Sequence, residues 1–152
     1  MKDKNLYDPG AAEDFKRRVM SLTPDRAPVW GKMRVGQMVA HLANALEMAI
    51  GERRPSRMLI GRIVGPAVKK RVMGNDDPLR MNTPTSPVLH ASPDSELAGE
   101  QARLIAAIDR FVVAGPAGCT DHPHTFFGKM TPEEWAILQY KHLDHHLRQF
   151  GA

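Results

Sequence analysis

The chain has 152 residues, 42% of them hydrophobic and 25% charged, with a single cysteine and a formal net charge of +4. That length suits one compact domain, 1–152, which can bury a core without disulfides, and Cys119 has no second cysteine to pair with. No apolar run approaches the ~18 residues of a membrane span and the first ten residues lack the apolar core of a signal peptide, so a secreted scaffold and a membrane-spanning protein are set aside and a cytoplasmic setting is expected.

Helix punctuation divides the chain. Asp8-Pro9 reads as a cap followed by proline at the first helical position, opening a helix that runs to about Ser21 and stops at Thr23-Pro24. A second helix is expected from about Arg34 to Ile50, closed by Gly51. Residues 57–73 read as a third, weaker helix, interrupted by Gly61, Gly65 and Pro66. Its apolar residues, Met58, Leu59, Ile63, Val64 and Val72, face either the core or a partner. Residues 74–93 form a long connector of the kind that often lies over a functional surface.

Ser92-Pro93-Asp94 opens a fourth helix that runs to about Ala114, where Gly115-Pro116-Ala117-Gly118 breaks it. Residues 119–130 are a second loop. Within it Cys119 reads as an inert surface or half-buried thiol, and Phe126 and Phe127 as anchors of the loop to the core. Thr131-Pro132-Glu133-Glu134 gives the sharpest start signal in the chain, a threonine cap with a glutamate three residues on, and the last helix runs to about Gln149. No period-2 strand is evident. The expected class is all-α: a four-helix bundle with one additional short helix and long connecting loops. Trp30 and Trp135 are expected to pack in the core at helix starts.

Three of the seven histidines crowd the last helix. At ~100° per residue, Trp135, Leu138, Gln139, His142, Leu143, His146, Gln149 and Phe150 share one side, while Lys141, Asp144 and Arg148 share the other. His142 and His146 thus lie in the buried stripe and His145 at its edge. A buried imidazole needs a partner for each nitrogen, and two of them one turn apart double the demand. A divalent ion satisfies both at once; hydrogen bonds to backbone, water or Gln149 are the competing explanation. His41, on the polar edge of the second helix beside Ala45 and Met48, is the candidate third ligand. Three imidazoles would leave open positions for water or substrate. They suit zinc, nickel or iron about equally. His142-Leu143-Asp144-His145-His146 has the spacing of a protease HExxH helix but leucine where the general base belongs, so that reading is rejected. His124 reads first as a solvated loop histidine and second as a group reaching the mouth of the bundle.

One histidine in the second helix, followed by a terminal His142-Leu143-Asp144-His145-His146-Leu147-Arg148-Gln149, resembles the DinB/YfiT-like superfamily. Its terminal motif reads His-x-x-His-His-Arg-Gly-Gln, so Leu147 and Arg148 depart from it. The stretch 35–42, Val-Gly-Gln-Met-Val-Ala-His-Leu, is similar to that family's approach to its first ligand. Trp30-Gly31-Lys32-Met33, the stretch from Met81 to Pro87, and the stretch from Phe126 to Trp135 resemble an uncharacterised branch of the same superfamily. The resemblance implies helix bundles with metal ligands His41, His142 and His146; His124, as substrate contact or fourth ligand, and His145 and Gln149 are separate candidates for lining or supporting the pocket. It also implies a thiol-dependent transferase or hydrolase acting on a small molecule, with a low-molecular-weight thiol as cosubstrate. A homodimer is the expected assembly.

The charge is uneven. From Glu52 to Arg80 there are eight basic and three acidic residues, a local charge of +5, while the remainder sums to −1. The alternative function is therefore a non-catalytic helical module using the basic 53–80 segment to hold an anionic surface or nucleic acid. The segment has no aromatic residue on which bases could stack, which disfavours nucleic acid.

Overall fold

A computed structural model describes residues 4–81 and 87–152. Five α-helices account for most of them: α1 (Pro9–Met20), α2 (Val35–Ala49), α3 (Leu59–Gly74), α4 (Leu97–Ala114) and α5 (Pro132–Gln149). Single 3₁₀ turns lie at Pro87–Leu89 and Pro116–Gly118. The all-α class expected from the sequence is what the chain adopts; among the described residues the sole β pairing is an isolated bridge between His124 and Gly128. Among the described residues no helix is long and apolar enough to cross a membrane.

Capping residues set the ends. Asp8 accepts from the Gly10 amide at 2.9 Å and Pro9 occupies the first turn of α1. Thr131 and Glu134 form a reciprocal pair at α5: the Glu134 amide donates to the Thr131 hydroxyl at 3.1 Å and the Thr131 amide to the Glu134 carboxylate at 2.9 Å. Thr131→Ala is expected to cost about 1 kcal/mol, read as a lower urea midpoint with an unchanged slope. An unaltered midpoint would show that packing alone sets the start of α5.

α2 packs against α4 and α5, and α1 against the same two helices. α2 is buried on almost every side; only Gln37 and Glu47 keep partial exposure. A helix buried on nearly all sides lies at the centre of the fold, and α2 supplies Met38, Val39, Leu42, Leu46 and Met48 to the core, with His41 and Asn44 as buried polar groups. Gly36 lets α2 meet the approach to α4: a Cβ there would lie 2.1 Å from the Ser95 carbonyl oxygen. Arg18 fastens α1 to the chain end through Asp144 at 3.1 Å and the Ala152 carbonyl at 3.0 Å.

Four expectations need correction. The additional helix, α3, is 16 residues long and runs unbroken through Gly61, Gly65 and Pro66. Its glycines are packing points, since Cβ atoms at Gly61 and Gly65 would stand 2.5 and 2.2 Å from the Phe126 carbonyl oxygen. α4 starts at Leu97; Ser92-Pro93-Asp94 instead makes a tight turn in which the Ser92 hydroxyl accepts from the Asp94 amide at 3.2 Å. Lys141, placed on the solvent side by the helical wheel, is buried. Its ammonium donates to the carbonyls of Val72, Asn75 and Asp77 at 2.7–3.0 Å and so caps the end of α3. Trp30 is only half-buried and packs edge-on to the His145 ring. Of the stretch from Met81 to Pro87, residues 82–86 lie outside the described residues.

Candidate metal centre

α2 and α5 bring one side chain and two side chains, respectively, to a common point. His41 faces α5 from the middle of α2, and His142 and His146 stand one turn apart on α5. The three rings lie 4.7–4.8 Å apart, centroid to centroid, and near-perpendicular to one another. One nitrogen from each ring lies within 4.8 Å of the other two, a spacing that can hold a metal ion. The His41 and His142 Nε2 atoms approach to 2.8 Å. His41 and His146 are buried, and His142 is partly buried.

The outer nitrogens fix which atoms face inward. His41 Nδ1 meets the Leu89 carbonyl at 3.0 Å; a carbonyl only accepts, so Nδ1 carries the proton and Nε2 presents a lone pair. Gln149 Nε2 donates to the Trp30 carbonyl at 3.0 Å, which turns Gln149 Oε1 toward His146 Nδ1 at 2.7 Å. His146 therefore also presents Nε2 bare. The same Leu89 carbonyl receives an amide proton from Asn44 at 3.4 Å, and Asn44 is in turn held by Arg103. Asn44 and Leu89 were not singled out from the sequence. A buried asparagine three residues beyond His41, on the same helix face, was the available signal.

Burial holds all three rings neutral. It pushes His41 below the usual imidazole range, His146 to about 3 and His142 well below the usual value. The rings also repel one another's protonation, a smaller effect in the same direction. Two nitrogens about 2.1 Å from a shared ion lie roughly 3.0–3.4 Å apart. The closest pair is within a few tenths of an ångström of that spacing, and the others, all within 4.8 Å, would draw together around an ion. With His41 Nε2 bare, the 2.8 Å contact is a hydrogen bond donated by His142 Nε2–H, and a divalent cation that took up the cluster would displace that proton.

The other candidates divide. Gln149 touches the cluster through His146 Nδ1. His145 is buried and packs edge-on against His146 at 4.9 Å and against Trp30, but it donates to the Leu79 backbone and is not one of the three converging ligands. His124 is not a solvated loop histidine. It is 7% exposed, its Nδ1 accepts from the Phe126 and Phe127 amides at 3.0 and 3.1 Å, and its ring stacks near Phe127 and Trp135. Burial and the neighbouring Arg57 charge lower it to about 4. His124 does not join the set of three, although a charge on it would reach His142. Cys119 is half-buried and lies 3.0 Å from the Tyr7 hydroxyl. A cleft of about 360 Å³, lined by Met48, Arg53, Arg54, Pro55 and Leu89, backs onto the residue that orients His41.

Comparison with curated proteins and with solved structures gives no match. The profile of the family described as protein of unknown function (DUF1569) matches residues 7–152 and so spans both helices of the histidine cluster; the chain belongs to that family.

Proposed function

We propose that this chain is a single DinB/YfiT-like four-helix domain that binds one divalent metal ion through His41, His142 and His146, and acts in the cytoplasm as a metal-dependent transferase or hydrolase on a small molecule. The observation that carries the reading is the convergence of three rings, two of them with fixed tautomers: Leu89 and Gln149 hold the outer protons of His41 and His146, which leaves their Nε2 lone pairs bare within the cluster.

A bound divalent ion would supply Lewis acidity, lowering the pKa of a bound water or thiol. The chain's own groups do the rest. Leu89 and Gln149 keep the ligand rings in one tautomer. The arginine-lined cleft beside Leu89 suits a substrate or thiol cosubstrate bearing an anionic group.

Elemental analysis of protein purified without chelator, followed by titration of stripped protein with Zn²⁺, Ni²⁺ and Fe²⁺, tests the proposal. One equivalent of metal per chain is expected, lost on His142→Ala. No metal as purified and no saturable uptake would refute it.

A further inference from the structure

α3 is built inside out. An ordinary surface helix buries its large aliphatic residues and shows polar ones to water. α3 presents Gly61, Gly65, Lys69 and Met73 inward and leaves its large side chains outside: Leu59 is 80% exposed, Ile63 78% and Ile60 52%, with Val64 and Val68 each at 37%. It cannot roll to hide them. Its backbone rests on Phe126 through the two glycines, Lys69 is tied to Glu134 at 3.2 Å and the Lys129 carbonyl at 2.9 Å, and Lys141 caps its end. At ~100° per residue these five aliphatics fall on the solvent half of the helix, and Lys70 and Arg71 fall among them one turn further on. A contiguous aliphatic patch of this kind marks a surface with a partner.

Charge identifies the partner. From Arg53 to Asn75 there are seven basic residues and no acidic one, and Lys70 and Arg71 are exposed. A second copy of the chain would bring the same basic patch against itself with no acidic group on either face to pair it. Nucleic acid would match the charge but gives the aliphatics nothing to bury against, and α3 has no aromatic residue for stacking. An anionic lipid surface satisfies both: aliphatic side chains enter the acyl boundary while Lys70 and Arg71 reach the headgroups. We infer that the solvent face of α3 is a peripheral docking surface for anionic phospholipid bilayers.

Co-flotation of the full-length protein with vesicles tests this. Phosphatidylcholine vesicles are compared with vesicles in which about a third of the lipid is phosphatidylglycerol. Binding is expected to the anionic vesicles only and to fall steeply when salt is raised to about 0.5 M. Lys70→Gln with Arg71→Gln should weaken it about thirtyfold. Ile60→Ser with Ile63→Ser should abolish it, with metal uptake unchanged as the sign that the fold persists. Equal binding to both vesicle types, binding to neither, or variants that float like the parent would overturn the inference. So would self-association in sedimentation, or DNA or RNA binding, that the isoleucine variant removes.

Discussion

Acidifying the metal-free protein from pH 6.5 to 5 is expected to strip away a large part of its stability. His124 and His146 have folded pKa values of about 4 and about 3, while the unfolded chain titrates near the ordinary imidazole value of ~6.5. Between those limits the unfolded state binds protons that the folded state refuses, so stability rises with pH and falls on acidification. Each fully refused proton contributes a slope of about 1.4 kcal/mol per pH unit. These two rings alone remove about 3 kcal/mol between pH 6.5 and 5, and His41 and His142 act in the same direction. Against a typical total of roughly 5–15 kcal/mol that is decisive. Urea midpoints at pH 7, 6 and 5 should fall progressively. His124→Gln should make the fall shallower by about one proton. A midpoint flat across that range would mean that the rings are protonated in the folded state and that the cluster is open to water.

The second large effect concerns the metal. His142→Ala removes one of three lone pairs and should weaken Zn²⁺ binding well beyond the ~10–100-fold usual for loss of an outer partner. Gln149→Leu tests that outer effect directly: it frees His146 to rotate or switch tautomer while leaving all three rings, and a loss of about 10–100-fold is expected. His145→Phe, at a ring directed toward Leu79 and Trp30, should leave affinity nearly unchanged. Competition against a chromophoric chelator ranks the three variants. A His145→Phe protein that binds zinc no more tightly than His142→Ala would contradict the assignment.

Much of the fold could be read from local chemistry. The ends of α1, α2 and α5 fall within a residue or two of their caps, because Asp8-Pro9, Gly51 and Thr131-Pro132 act through backbone atoms a few positions away. The cluster of His41, His142 and His146 was legible for a different reason. Polar rings in apolar stripes have few ways to be satisfied, and two helices long enough to pack offered one convergence point.

What the sequence concealed depends on contacts between distant segments. A wheel drawn on α5 alone puts Lys141 in water; only the end of α3 supplies the carbonyls that bury it. His124 belongs to a loop whose amides fold back on its own ring, and the turn at Gly128, with φ at +78°, makes that possible. In α3, glycine and proline suggested interruption because propensity carries no knowledge of Phe126, against which the glycines are needed.

Diffraction from crystals of the zinc-loaded protein, measured on both sides of the zinc absorption edge, addresses the metal site without relying on activity. The expected result is a single anomalous peak about 2.0–2.2 Å from one nitrogen each of His41, His142 and His146. A peak elsewhere, or one that touches fewer than two of those rings, would contradict it.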